Sequence, residues 1–359
     1  MTKSENLLKT IQTLKEQLQD CEKQLAASKK DKEGLYMALV AKGVQDYWTD
    51  QNEFYVDCKN IFQNETYQMV YDKLAYDTTI RNNYINFKIK SNCDLINNID
   101  LIIPNPQNKR LNSLIKSISC EYGTVIDRLN ASDLETQINT NCSFLGAQRK
   151  ISYSNDKIFI PLVMAPFNNH NLVQPKMENH ELNFIVDFHE FMYDMYTIEL
   201  MGCMYAMKSD KLKRITDGYN FITIQNQYTG VEHIHGTSHS QHSFTIYFMQ
   251  PTYLLYFWGF DKSLVKNVKL LLNGHTFYDG SLDALEFYKI SRGFKDVEPS
   301  VIFFTDQNDL TQSNKCSVNF SRIDSSKLLI QTSQSDFDMN IIGLSMMPVR
   351  CLKGMIGMA

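Results

Sequence analysis

The spacing of hydrophobic residues changes along this chain near Gly34. Before that point, apolar positions recur at intervals of four and three, the heptad seam of an amphipathic helix. The seam consists of Leu7, Ile11, Leu14, Leu18, Cys21 and Leu25. About three heptads are marginal as an isolated helix. We therefore predict a coiled-coil-like helix over residues 1–34, packed either against copies of itself or against the body of its own chain.

After Gly34, short apolar or alternating runs are separated by polar turns. Clear examples are residues 84–89, 182–188, 253–260 and 265–272. The last of these runs into Asn273-Gly274, a strong signal for a hairpin turn. Many short strands at close spacing indicate β-sandwiches or barrels, and no helical segments alternate with them as a parallel sheet would require. The body is predicted to be all-β.

Composition narrows the choice of function. The 359 residues are 43% hydrophobic and 21% charged, enough to form a core in about two domains and too apolar for a disordered chain. The net charge of −4 argues against a basic surface that neutralises phosphates, so we expect no direct contact with nucleic acid. The eight cysteines show no C-x-x-C spacing, and the first ten residues lack the apolar core of a signal peptide. We expect reduced thiols.

One dense group of metal-ligating side chains stands in the segment VEHIHGTSHSQH. It contains His233, His235, His239 and His242. A His-x-His pair on a strand places both imidazoles on one face, as a metal site needs. A cupin metal site, however, requires Glu at the position that Ser240 occupies here. We expect a polar loop, no metal and no cofactor, with a metal-dependent cupin-like enzyme as an alternative. No nucleotide-binding or nucleophile motif occurs, so no catalytic residue is predicted.

Several collinear segments carry a family resemblance. They are residues 37–49, 156–188, 198–230, 248–258, 268–274 and 349–359, together with the intact motif NFSRID, which is Asn319, Phe320, Ser321, Arg322, Ile323 and Asp324. In this order they resemble the major capsid proteins of nucleocytoplasmic large DNA viruses. The heptad arm and the segment 70–78 depart from the family pattern, so a divergent or minor paralogue is also compatible with the sequence.

The resemblance implies a fold and a role. The fold would be all-β, two tandem jelly-roll β-sandwiches (a double jelly roll), with the helix at 1–34, the first roll at 35–208 and the second at 209–359. The role would be structural and non-enzymatic: a homotrimer forms a pseudo-hexagonal capsomer that tiles an icosahedral virion shell and assembles in the host cytoplasm. Its partners would be copies of itself and neighbouring capsomers, and, through the arm, minor capsid proteins or an inner membrane.

Two further interpretations stay open at the level of sequence. The NFSRID motif reads as a strand near a bend, in which Arg322 and Asp324 lie on one side of an extended chain and could tie neighbouring loops. Plain strand alternation with exposed charges is the simpler explanation. The alternative functions are a jelly-roll glycan-binding attachment protein and a capsid-like scaffold on nascent viral membranes.

Overall fold

A computed structural model gives the fold of most of the body. It describes residues 68–90, 93–146, 149–154, 156–168, 173–175, 177, 180–190, 195–206, 219–236, 240–305, 317–352 and 355–358. The predicted N-terminal helix, with all six heptad positions, lies outside these residues.

Ten strands and two short helices form the first half of the described chain. They are β1 Gln68–Lys73, β2 Tyr76–Arg81, β3 Tyr84–Ile89, β4 Leu95–Pro104, α1 Leu111–Leu114, β5 Ile115–Tyr122, β6 Thr124–Leu129, α2 Leu134–Phe144, β7 Ser152–Ser154, β8 Lys157–Pro161, β9 Leu182–Phe188 and β10 Glu199–Ala206. These strands pair into two antiparallel sheets: sheet I has the order β1-β10-β4-β8-β7, and sheet II has the order β2-β3-β9-β5-β6.

The second half repeats the arrangement. Its elements are β11 Tyr219–Ile234, β12 Gln241–Thr245, β13 Pro251–Trp258, β14 Val265–Leu272, β15 His275–Gly280, α3 Leu282–Ser291, β16 Ser300–Phe303, β17 Val318–Asn319, β18 Ser326–Thr332, β19 Phe337–Leu352 and β20 Met355–Met358. Sheet III has the order β11-β19-β13-β16, with β17 and β20 attached, and sheet IV has the order β12-β18-β14-β15.

The two halves share one topology. The order β1-β10-β4-β8 in sheet I corresponds, strand for strand, to the order β11-β19-β13-β16 in sheet III. In the same way, β3-β9-β5-β6 in sheet II corresponds to β12-β18-β14-β15 in sheet IV. Two facing four-stranded antiparallel sheets in this order are a jelly roll. An α-helix stands at the same place in each half, α2 between β6 and β8 and α3 between β15 and β16. The chain is a double jelly roll, as the sequence predicted.

Sheet III is buried on both faces. Along β19, Phe337, Met339 and Ile341 lie in the core of the second roll. The alternating residues Ile342 and Leu344 lie in the core that continues into the first roll. Because neighbouring side chains on a strand point to opposite faces, one face of this sheet fills its own roll and the other packs on the first roll. This double burial explains the continuous apolar run in β13.

The hairpin between β14 and β15 forms where Asn-Gly predicted it. Leu272 pairs with His275, so the loop has two residues. Asn273 and Gly274 have φ of 49° and 79°. Positive φ at both positions is the type I′ turn, whose twist matches that of the flanking strands. Asn and Gly suit it because they enter the left-handed region at low cost.

The structure confirms several strands that the sequence predicted and contains two helices that it did not predict. Strands β3, β9 and β14 have the predicted bounds. Helices α2 and α3 were not predicted, although each begins with a capping side chain: Asp133 accepts a hydrogen bond from Thr136 N and Ser281 from Ala284 N. The division of the chain at residues 208 and 209 stays a prediction, since residues 207–218 lie outside the described part.

None of the α-helices in the described part of the chain combines the length and the apolar character needed to cross a bilayer. The cysteines Cys93, Cys120, Cys142 and Cys203 are free thiols.

Candidate functional site

The joint between the two rolls is the most elaborate polar site in the described structure. Four consecutive residues in the first half of β11, from Thr223 to Asn226, hydrogen-bond to the first roll. Their partners lie on β6 and in the segment after β8. These hydrogen bonds fix the position of one roll against the other.

Asp127 on β6 is the centre of the joint. Its carboxylate is almost completely buried and accepts four hydrogen bonds from N–H groups. Asn226 donates two of them, from backbone N over 3.1 Å and from Nδ2 over 3.0 Å. The backbone N–H groups of Ala165 and Arg128 donate the others, each over 2.8 Å. All four partners are donors, so each lone pair of the carboxylate accepts one hydrogen bond.

Burial raises the pKa of Asp127 to about 7. The hydrogen bonds from Ala165, Asn226 and Arg128 oppose the rise because they stabilise the charged form. Desolvation is the larger effect, since the carboxylate has exchanged water for protein on all sides. The joint therefore contains a carboxyl group that titrates near neutral pH.

A chain of hydrogen bonds extends from Asp127 into the second roll. The amide Nδ2 of Asn141 on α2 donates to Asn226 Oδ1 over 2.8 Å, and the hydroxyl of Tyr256 on β13 donates to Asn141 Oδ1 over 2.9 Å. Each amide thus donates towards the carboxylate and accepts from the group behind it. The chain fixes the orientation of both amides and links α2 to sheet III.

Asn168 forms a second contact across the joint. Its Oδ1 accepts from Thr223 Oγ1 over 2.6 Å and from Ile224 N over 2.9 Å, and its Nδ2 donates to the carbonyl of Ile224. Gln225 Nε2 donates to the carbonyl of Ile126 over 2.7 Å. All of these groups except Gln225 are buried. Sequence reasoning missed this joint, because Asp127 and Asn168 stand in runs whose pattern gives no sign of an inter-roll partner.

Two of the four candidate histidines lie together. His233 lies on β11 and is the cross-strand partner of Asp338 on β19, and His235 lies just after the end of β11. His233 Nδ1 is 2.8 Å from Asp338 Oδ1. His242 lies elsewhere: it is buried on β12, with its ring 5.4 Å from that of Phe337. His239 lies outside the described residues. His242 therefore lies apart from His233 and His235.

The NFSRID motif does not form the expected extended chain. Asn319 ends β17, and residues 320–322 form a single turn of 3₁₀ helix. The side chain of Asn319 caps this turn, accepting from Ser321 N over 3.0 Å and from Ser321 Oγ over 2.6 Å. Asn favours such local bonds to the backbone. Arg322 and Asp324 are both exposed, and their proposed role as a tie between loops stays a hypothesis.

The remaining residues of the motif anchor the turn. Phe320 is buried, and its ring packs edge-on against Phe248 and Phe304, at centroid distances of 5.2 and 5.7 Å. Ile323 is half-buried at the edge of the same core. The observed role of this motif is therefore to dock a turn onto the second roll.

Helix α3 is held by a buried lysine. Lys289 Nζ donates to the carbonyls of Val297 and Pro299, over 2.7 and 2.9 Å, and lies 2.7 Å from Glu286 Oε2. Glu286 also accepts from Lys262 and Ser300. Burial lowers the pKa of Lys289, and these bonds compensate for part of the desolvation.

Helix α3 also presents apolar side chains to solvent. Phe287 is 74% exposed and Ile290 is 54% exposed. A second exposed apolar group lies on β1, the edge strand of sheet I, and consists of Met69, Val70 and Tyr71. Tyr71 is fixed there by its hydroxyl, which donates to Asp100 Oδ2 over 2.6 Å. Exposed apolar patches of this kind mark candidate surfaces for association.

Comparison with known proteins gives matches in structure alone. No protein-family model matches the chain. No curated protein matches it in sequence. Among solved structures, VP54 of PBCV-1, fitted into a reconstruction of the virophage Sputnik, superposes with a TM-score of 0.65 at 14% identity and covers 82% of this chain and 97% of its own. The PBCV-1 capsid model gives a TM-score of 0.64 at 14% identity, with the same coverage.

A third match comes from another virus. The major capsid protein of Faustovirus superposes with a TM-score of 0.57 at 8% identity, covering 79% of this chain and 90% of its own. These similarities extend over nearly the whole of each capsid protein, and so include both rolls and the joint. The strand order, the paired helices and the superpositions agree: this chain has the double jelly-roll fold of viral major capsid proteins.

Proposed function

We propose that this protein is a structural capsid protein whose copies form a homotrimeric, pseudo-hexagonal capsomer in an icosahedral virion shell. The observation that carries the proposal is the repetition of one roll topology, helix included, within a single chain. Two equivalent rolls in each chain give six in a trimer, which approximates a hexagon and tiles a flat facet. We assign no catalytic role, and no cofactor, to this chain.

The contact within the chain suggests how the ring closes. In one chain, β6 and α2 of the first roll pack against the outer face of sheet III in the second roll. The equivalent elements are β15 and α3 of the second roll, and sheet I of the first. If the same contact repeats between chains, α3 of one chain meets sheet I of the next. A head-to-tail interface whose rotation closes gives a ring.

The exposed side chains support this pairing. Phe287 and Ile290 project from α3, and Met69 and Val70 project from β1 in sheet I. Met69 and Val70 point to opposite faces of sheet I, so the repeated contact would cover the apolar side chains of α3 and one of these two. An obligate interface buries about 2,000 Å² or more. The repeated contact would also cover the edge of β1 that has no partner strand among the described residues, and an uncovered edge promotes aggregation.

The test is the mass and outline of the purified protein. Sedimentation velocity and negative-stain imaging should give a trimer with a six-cornered outline. Phe287→Asp combined with Ile290→Asp should shift the protein towards monomer, because it places two charges in the apolar contact. Tyr196→Asp, at an exposed aromatic on the connection before β10, is the matched control and should stay trimeric. A monomeric wild-type protein would contradict the proposal, as would a double variant that stays fully trimeric.

We further propose that residues 1–34 act as an arm that contacts minor capsid proteins or an inner membrane. The heptad seam of Leu7, Ile11, Leu14, Leu18, Cys21 and Leu25 supports this role, since three arms near one axis could form a short coiled coil. Deletion of residues 1–33 should leave a folded trimer that fails to assemble further. If the deletion unfolds the body, the segment is part of the core and the arm hypothesis is wrong.

The location of the protein is tested separately. We expect it in purified virions, after assembly in the host cytoplasm, at the abundance of a shell component. Quantitative mass spectrometry of purified particles measures this directly. A protein found on assembling membranes but absent from mature particles would instead be a scaffold with the same fold.

A further inference from the structure

We propose that His233, His235 and Asp338 form a binding site for a divalent transition-metal ion of the Zn²⁺ class. One ligand atom from each of these side chains lies within 4.8 Å of the other two. The site stands where strands β11 and β19 reach the end of sheet III. It is independent of the proposed capsomer, because both strands belong to one roll of one chain.

The register of the two strands builds this site. His233 pairs directly with Asp338, and His235 follows two residues later, just after β11 ends at Ile234. Side chains directly opposite on paired strands are neighbours, so His233 and Asp338 meet, and a donor atom of His235 lies within 4.8 Å of both. The two rings are parallel within 5°, with their centroids 6.0 Å apart. The imidazoles thus stand side by side as the His-x-His spacing predicted.

The distances between the three donor atoms, all within 4.8 Å, are near those between ligands of one metal ion. His233 Nδ1 and Asp338 Oδ1 are 2.8 Å apart. Ligands about 2.0–2.1 Å from a tetrahedral zinc ion are separated from each other by roughly 3.4 Å. All three side chains are more than half exposed, so rotation about their side-chain torsions can bring the donor atoms to this spacing without moving the sheet.

The donor set selects the class of metal. Two imidazole nitrogens and one carboxylate oxygen suit Zn²⁺, Cu²⁺ or Ni²⁺, whereas Ca²⁺ and Mg²⁺ prefer sites built from oxygen alone. Three protein ligands leave one tetrahedral position for water. A fourth protein ligand is also within reach, because Asp336 Oδ1 lies 3.8 Å from His235 Nδ1. A bound ion would cross-link β11 to β19 and stabilise the end of sheet III.

The test is a titration of the tag-free, full-length protein with ZnCl₂, measured by isothermal titration calorimetry. We expect saturable binding of one ion per chain, and no comparable binding of CaCl₂. His233→Gln combined with His235→Gln should weaken Zn²⁺ binding by at least tenfold, and Asp338→Asn should weaken it in the same direction. His275→Gln, at an exposed histidine on β15, is the matched control and should bind like the wild type.

Thermal unfolding gives a second readout. Zn²⁺ should raise the Tm of the wild type and of His275→Gln, but not of the double variant, whose Tm without metal should match that of the wild type because the substituted side chains are exposed. Either of two results would overturn the site: no saturable Zn²⁺ binding by the wild type, or equal Zn²⁺ affinity in the wild type and the double variant.

Discussion

Asp127 of the first roll accepts two hydrogen bonds from Asn226 of the second, one from its backbone N–H and one from its side-chain amide. This pair joins the two rolls at a buried point. Asn226 in turn accepts from Asn141, so its amide cannot rotate without breaking bonds on both sides. The orientation of the rolls, on which a six-cornered trimer would depend, is therefore fixed in part by one carboxylate and one amide.

Loss of this pair should destabilise the joint. Asn226→Ala removes one of the four hydrogen bonds to the buried Asp127 carboxylate and the acceptor of Asn141 Nδ2. A buried polar group without its partner costs about 1–3 kcal/mol. We expect the free energy of unfolding, measured in urea, to fall by that amount. The matched control is Asn267→Ala, which removes an exposed amide bonded to Asp279 and should change stability by less than about 0.5 kcal/mol. Equal losses in the two variants would contradict the role assigned to the joint.

The titration of Asp127 should be visible in the pH dependence of stability. Its pKa is about 7 in the folded protein and 3.8 in ordinary surroundings, so the folded state binds more protons between these values. Stability from this group is fully present below about pH 4 and is lost as the pH rises through about 7. The loss amounts to as much as about 4 kcal/mol.

The measurement compares urea unfolding of the wild type and of Asp127→Asn from pH 4.5 to pH 8. The variant lacks the titrating group, so the difference between the two stability curves should change across this range. The stability of the wild type relative to the variant should fall as the pH rises, because only the wild type loses the contribution of the protonated carboxyl group. Parallel curves would show that Asp127 keeps one protonation state throughout.

Lys289 should carry much of the stability of α3. Lys289→Met removes three polar contacts: two carbonyls lose this donor, and Glu286 keeps only its bonds from Lys262 and Ser300. This loss should cost about 2–4 kcal/mol. Lys295→Met is the control, because Lys295 is exposed in the loop after the helix. Chemical denaturation measures both. If the two variants are equally stable, the buried contacts of Lys289 contribute no net stability.

Gly259 should not tolerate a side chain. It has φ of +113°, and a Cβ at this position would lie 1.7 Å from the carbonyl oxygen of Asp338. Gly230 has nearly the same φ, +110°, but open space around it. Gly230→Ala should therefore cost only backbone strain of about 1–2 kcal/mol. Gly259→Ala should cost clearly more, or prevent folding. Comparison of soluble yield and Tm separates the two effects, and similar values would exclude the clash.

The sequence by itself determined the local elements. Alternation specified β3 and β9, and Asn273-Gly274 specified the tightest hairpin, because these features depend on neighbours in the chain. The His-x-His spacing also predicted neighbouring imidazoles, and the rings of His233 and His235 are stacked, although His235 lies just beyond β11. The collinear family segments supplied the double jelly roll, which the strand order confirms.

Tertiary structure alone decided which distant residues meet. Asp338 lies 105 residues from His233, and Asn226 lies 99 residues from Asp127, so no local pattern could pair them. The turn at Phe320 replaced the expected strand because Asn319 bonds to the local backbone while Phe320 enters the core. Spacing along the chain fixes which side of a strand a residue occupies, but only the packing of the sheets fixes what lies on that side.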